Sequence, residues 1–274
     1  DVLDTWFSSA LWPFAVFGWP SSTSSLSLRA AAGKPQKNKK VDLDRFYPTS
    51  LLSTDRGIIN LWVVRMVFSG IEFLKKIPFG TVYIHPTVLT REGKRMSKSL
   101  GTGIDPLYLI EKYGADATRF GIAFQIMGGQ DIKFVEDNMV MGKKFCNKIW
   151  NAARFVLMNK PTQINADFGS LRSQRGFTRI KNFTSADRRI LKKLKETIKS
   201  VNGDLENLRF GKAAHKLYDF FWHDFCDIYI EESKKQIEMG KNEETTKKVL
   251  FLVLLNSLKI LHPFVPFITE EIYQ

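Results

Sequence analysis

From about Phe134 to its end this chain carries helical periodicity and no strand pattern, and that asymmetry most limits how it can fold. Ahead of that point the pattern alternates. Thr49-Ser50-Leu51-Leu52-Ser53 reads as a short buried strand. Gly57 opens a helix through Ile58, Leu61, Trp62, Arg65, Met66 and Ile71, with apolar residues three and four apart. Thr81-Val82-Tyr83-Ile84-His85 reads as the next strand, and a glycine-flanked turn follows it. Asp105 and Pro106 then start a helix that stops near Tyr113-Gly114, since Asp is a good N-cap and Pro a good first helical residue. Strand, helix, strand, glycine turn, helix is the order of an open parallel α/β sheet. Residues 141–158, 187–208, 211–239 and 243–261 instead predict an all-α helical bundle, with 160–183 as a connection.

The 274 residues suffice for one large domain or two ordinary ones, and an apolar share of 44% supports a core. No apolar run approaches the roughly 20 residues of a membrane span, so no membrane partner is expected. The opening Asp1-Val2-Leu3-Asp4 has no basic region and no initiator Met. It predicts no signal peptide and a start inside a longer protein. The end at Gln274 falls in a predicted helix, which predicts truncation there too. Residues 21–40 are Ser-rich, then Lys-rich, with few large apolar side chains, and read as a flexible surface insertion. Cys146 and Cys226 have no partner at metal-ligand spacing, so two reduced core thiols and no zinc are expected.

The formal charge of +13 is concentrated. Between Met141 and Lys216 stand 18 Lys or Arg against five Asp or Glu, and the remainder is neutral. Such a block fits a polyanion, nucleic acid above all, or a solvated helix surface of mixed charge. Arg188, Lys192, Lys195 and Lys199 recur at three-or-four spacing, so four cations share one helix face suited to RNA phosphates or to solvent. His215 and His223, eight apart, share a face with Lys212 and Trp222, where packing or capping is expected.

The densest chemistry is Gly93-Lys94-Arg95-Met96-Ser97-Lys98-Ser99-Leu100-Gly101-Thr102-Gly103. Two cations and two hydroxyls between glycines are what a mobile polyphosphate clamp needs, or else form a solvated basic turn. This turn resembles the Lys-Met-Ser-Lys-Ser signature of the class I aminoacyl-tRNA synthetases, with Arg95 in place of the first Lys. Asp4-Thr5-Trp6-Phe7-Ser8-Ser9, Leu11-Trp12-Pro13-Phe14, Trp62-Val63-Val64-Arg65-Met66, Gly129-Gln130-Asp131 and Lys148-Ile149-Trp150-Asn151 resemble the valyl members. Tyr218 to Asp227 and Leu261-His262-Pro263-Phe264 resemble that family's anticodon-binding helices.

The resemblance implies a fold: residues 1–135 as the C-terminal half of a Rossmann-like catalytic domain, and 136–274 as the helical anticodon-binding domain. It implies ATP with Mg2+ as its counter-ion, valine and tRNA(Val) as substrates, a monomer, and a cytoplasmic enzyme of protein biosynthesis. Lys98 and Arg95 would be catalytic, and Arg95, Met96, Ser97, Lys98 and Ser99 would hold ATP. Trp6 and Ile58 would line the valine pocket. The family usually has Asp where this chain has Gly57, so Asp55 would take over the amino group. No His-Ile-Gly-His type motif accompanies His85, His215, His223 or His262, so the chain alone is expected to be inactive. Alternatives are an isoleucyl or leucyl relative, a nucleotidylyltransferase sharing the clamp turn, and a non-catalytic tRNA-binding module.

Overall fold

The computed structural model describes residues 3–20, 39–97, 101–161, 182–240 and 242–274. Most of the insertion expected at 21–40 and of the connection expected at 160–183 lies outside these residues, as do Lys98 and Ser99. The chain divides into two compact units, Asp1–Thr87 and Val88–Gln274.

In the first unit, helix α1 (Thr5–Ala15) starts where the Asp4 side chain accepts from the Trp6 amide. Helix α2 spans Lys39–Phe46. Strands β1 (Thr49–Asp55) and β2 (Phe79–His85) pair in parallel, with Leu51 opposite Thr81 and Asp55 opposite His85. β1 buries only Leu52 and Thr54, because successive side chains point to opposite faces. The short buried strand expected here is therefore buried on one face only.

The link between the strands is one helical stretch in three windings. A 3-10 turn (Arg56–Ile58) passes into a π-helical turn (Ile59–Val63) and then into α3 (Val64–Leu74). Val63 and Met66 pack on Leu52 and Phe79, while Phe14 of α1 meets the rings of Trp19, Tyr47 and Phe73. Arg56–Leu74 is a 19-residue helical stretch that holds an 18-residue window of mean hydropathy 1.5, and it is long and apolar enough to cross a membrane by length and composition. No uninterrupted apolar run marks it in the sequence, because Asn60, Arg65 and Glu72 interrupt it.

The second unit opens with a small parallel pair, β3 (Val88–Leu89) on β4 (Ile132–Lys133). Helices α4 (Pro106–Tyr113), α5 (Ala115–Phe124) and α6 (Asp137–Met158) accompany it. α4 has its predicted Asp105 cap, which accepts from the Leu107 amide at 2.9 Å. Then come α7 (Ser185–Glu206) and α8 (Phe210–Asp219). A π-helical segment (Phe220–Ile230) runs on into α9 (Glu231–Glu238). Helices α10 (Glu243–Leu261) and α11 (Pro266–Tyr273) complete the unit.

One continuous core joins α5 to α11, with Phe120, Phe145, Leu217, Phe221, Phe225 and Leu258 buried. Helix α10 buries nearly every apolar residue it has, Val249 to Leu255 included, and so runs through the centre. Helix α7 begins with a reciprocal cap between Thr184 and Asp187. Tyr229 locks this start into the core by donating to Asp187 at 2.6 Å.

Candidate functional site

Two regions of the second unit carry cationic chemistry, and one region of the first carries the features of a small-molecule wall. The glycine-flanked basic turn begins as a hairpin. Leu89 and Arg95 form an antiparallel bridge, and Thr90 accepts the Lys94 amide on its hydroxyl while donating its own amide to the Lys94 carbonyl at 2.8 Å. Gly93 turns the chain at φ 84, a conformation glycine adopts without strain. β3 is held in turn by β4 and by the Phe134 amide, which donates to the Leu89 carbonyl at 2.9 Å. Arg95 is left exposed at the end of this rigid arm, with Met96 and Ser97 half-buried after it.

Thr102 ties the turn shut. The Ser97 amide donates to the Thr102 hydroxyl at 2.9 Å, and the Thr102 amide donates to the Ser97 carbonyl at 3.1 Å. The turn thus leaves a closed neck and re-enters at α4. Sequence reasoning missed Thr102, because a threonine in a glycine-rich run gives no sign of which backbone groups it will meet.

In the first unit, Asp55 is the last residue of β1 and Ile58 the last of the following 3-10 turn. Asp55 accepts the Gly57 amide on Oδ1 at 2.6 Å and the Thr87 hydroxyl on Oδ2 at 2.5 Å. Ile58 is half-buried. Trp6 is 38% exposed, and the Arg65 guanidinium lies 4.9 Å from its ring centroid. Arg65 therefore covers one face of the ring proposed as a pocket wall. The sequence held both residues but no signal that they meet. Trp62 anchors α1 from the same helix, donating from Nε1 to the Ser9 carbonyl at 3.3 Å.

The predicted cationic face is present on α7. Arg188, Lys192, Lys195 and Lys199 are exposed, while Ile190, Leu194, Thr197 and Val201 on the opposite side are buried. Their neighbours are spent on ion pairs: Arg189 on Glu232, Lys193 on Asp224 at 3.5 Å, and Lys216 on Asp204. Among the described residues, no carboxylate pairs with Lys192, Lys195 or Lys199. The two histidines differ: His215 packs as expected, whereas His223 is exposed and neither packs into the core nor caps a helix. His215 packs on Phe124, with ring centroids 3.6 Å apart, and bonds its carbonyl. His223 pairs with Asp227, which also holds Lys148 at 2.8 Å.

Among the described residues, no three His, Cys, Asp or Glu side chains are placed to hold a metal. Both cysteines are free, and burial pushes each thiol up to about 12.

The family model described as tRNA synthetases class I (I, L, M and V) matches residues 1–135. A second, described as anticodon-binding domain of tRNA ligase, matches residues 187–274. The valine--tRNA ligase of Clostridium tetani is 46% identical over 275 residues, covering all of this chain. The chain belongs to the valyl branch of the class I tRNA synthetases. It spans 28% of the length of that relative and 22% of the Aquifex aeolicus valine--tRNA ligase, which is also 46% identical over the whole chain.

Solved class I synthetases share the fold at low identity. The LeuRS of Agrobacterium radiobacter K84, in a ternary complex with tRNA and LeuAMS, aligns at a TM-score of 0.66 and 20% identity. That alignment covers all of this chain and 31% of that one. The methionyl-tRNA synthetase of Mycobacterium tuberculosis bound by methionyl-adenylate aligns at 0.63 and 20% identity, over 88% of this chain and 46% of its own. The small parallel sheets followed by a helical bundle are thus a class I synthetase fold.

Proposed function

We propose that this chain is the clamp-bearing part of a valine--tRNA ligase, which activates valine with ATP and transfers it to tRNA(Val). The observation that carries the reading is 46% identity to valine--tRNA ligases across the whole chain, the clamp turn included. In this reading residues 1–135 belong to the catalytic domain and 136–274 to the anticodon-binding bundle. The protein works as a cytoplasmic monomer, without a membrane.

Activation joins the valine carboxylate to the α-phosphorus of ATP and breaks the bond to pyrophosphate. Negative charge grows on the departing group, and cations that meet it late lower the barrier more than they tighten binding. Lys98 and Arg95 take that role, with Met96, Ser97 and Ser99 shaping the ATP contact. The rigid hairpin that ends at Arg95 and the neck closed by Thr102 support it. Mg2+ would arrive on the ATP phosphates, and zinc has no part in this chemistry.

The indole face of Trp6 and the branched aliphatic side chain of Ile58 line the valine pocket, with Asp55 opposite the amino group. Arg188, Lys192, Lys195 and Lys199 meet the tRNA backbone, supported by the lack of a carboxylate partner for Lys192, Lys195 and Lys199 among the described residues.

Valine-dependent exchange of pyrophosphate into ATP tests the reading. The full-length native protein carrying this chain should exchange with valine and not with isoleucine or leucine. Lys98→Ala should slow exchange about 10²–10³-fold with little change in valine affinity. The 274-residue chain by itself should not exchange. Salt-sensitive tRNA binding by the full-length protein without any exchange would leave only the tRNA-binding module.

A further inference from the structure

We infer that Thr87 is a positioning residue for amino-acid recognition: its hydroxyl sets the Asp55 carboxylate as the acceptor for the substrate ammonium. The inference rests on the valine-site reading above and adds a residue that the sequence gave no reason to choose.

Asp55 ends β1, and its register partner His85 ends β2. Thr87 lies two residues beyond His85, so both side chains stand at the carboxyl edge of a parallel strand pair. In open α/β sheets that edge is where ligands sit. Asp55 and Thr87 are both half-buried, which keeps the pair accessible and limits screening by water.

The bonding of the carboxylate is divided. Oδ1 accepts the Gly57 amide at 2.6 Å, which caps the turn carrying Ile58. Oδ2 accepts the Thr87 hydroxyl at 2.5 Å. A carboxylate has about four acceptor directions, so the bonds from Gly57 and Thr87 fix its plane without by themselves using up its acceptor capacity. A cap alone does not need a charge, since Ser or Asn serves as well as Asp. It does not need a second anchor on the neighbouring strand either. A charged acceptor held from both strands is what recognition of an ammonium demands. The same carboxylate orients Ile58, so one group couples the amino-group contact to the aliphatic wall. Gly57 has no side chain to compete with Asp55 for that cation.

The test uses the full-length native protein carrying this chain, with valine and with 3-methylbutanoate, its analogue lacking the amino group. The readout is the ratio of the inhibition constant of the analogue to the KM for valine, in pyrophosphate exchange. A site built to bond an ammonium rejects the analogue strongly. Asp55→Asn and Thr87→Val should each lower that ratio about tenfold or more. The KM for ATP should stay unchanged, and Thr87→Ser should restore the ratio. General loss of folding would lower the active fraction without moving the ratio. Valine-dependent exchange with an unchanged ratio in Thr87→Val overturns the role of Thr87 alone. Absence of valine-dependent exchange in the unaltered protein overturns the valine-site reading, and this inference with it.

Discussion

Cys226 and Cys146 show how a residue's surroundings set its chemistry. Burial raises both thiols to about 12, and the charge of Asp116 adds to the shift at Cys146. The thiolate is the reactive form, so neither should react with a thiol reagent near pH 8 while the bundle is folded. Both should label on unfolding, and fast labelling of native protein would contradict the burial. The sign for stability follows from the same shift. The folded pKa lies above that of a free thiol, so the protonated form favours the folded state. That contribution is complete below about pH 8.5 and is lost as the pH rises towards 12, so stability should fall across that window in an alkaline denaturation series. Two core thiols were legible in the sequence. The bonds of Tyr229 to Asp187 and of Thr87 to Asp55 were not, because each joins side chains more than 30 residues apart.

At the scale of elements, three glycines let helices approach closely. A Cβ on Gly142 would stand 2.4 Å from the Ala117 carbonyl oxygen, and one on Gly211 1.7 Å from that of Ile126. Gly121 meets the Asn138 carbonyl oxygen at 2.7 Å. Backbone cannot yield as a side-chain tip can. Gly211→Ala should therefore destabilise the bundle by about 1–3 kcal/mol or more, as overpacking does. Gly203 in α7 has nothing within 4 Å of such a Cβ, and Gly203→Ala should stabilise by roughly 0.5–1 kcal/mol through helix propensity. Urea titrations of the two variants would separate them, and equal effects would count against the close crossings.

Element boundaries were read well wherever apolar spacing was regular. Residues 243–261 form α10 as expected, and 211–239 form the continuous helix from α8 to α9. Its π-helical middle was not foreseen. The buried pairs Phe220-Phe221, Phe225-Cys226 and Tyr229-Ile230 recur every five and then four residues, wider than a 3.6-residue turn. Helix α11 shows a related limit. Asp116 in α5 caps it from about 150 residues away, accepting the amides of Phe267 and Ile268.

At the scale of the molecule, the excess charge becomes a surface. On α7 the core-facing side is apolar, one flank spends its cations on Asp224 and Glu232, and the remaining face carries Lys192, Lys195 and Lys199, which pair with no carboxylate among the described residues. Each phosphate neutralised contributes about 0.7–0.9 to the slope of log affinity against log salt. Replacing these three lysines by Ala should weaken tRNA binding and reduce that slope by roughly two to three. Lys193→Ala should change the slope less, since its charge is already paired. A filter-binding series at several salt concentrations checks this, and an unchanged slope in the triple variant would remove the face from the interface.

The sequence by itself determined the change from a parallel α/β part to a helical bundle, because local periodicity, caps and glycine turns are written within a few residues of where they act. It also determined the Arg95-Met96-Ser97-Lys98-Ser99 signature and the family, because those are contiguous strings. Only the tertiary structure decided which charges stay unpaired, that Arg65 covers Trp6, that Thr102 closes the neck of the turn, and that Thr87 holds Asp55. Those outcomes depend on which distant side chains meet once the chain has packed, and no local pattern encodes such meetings.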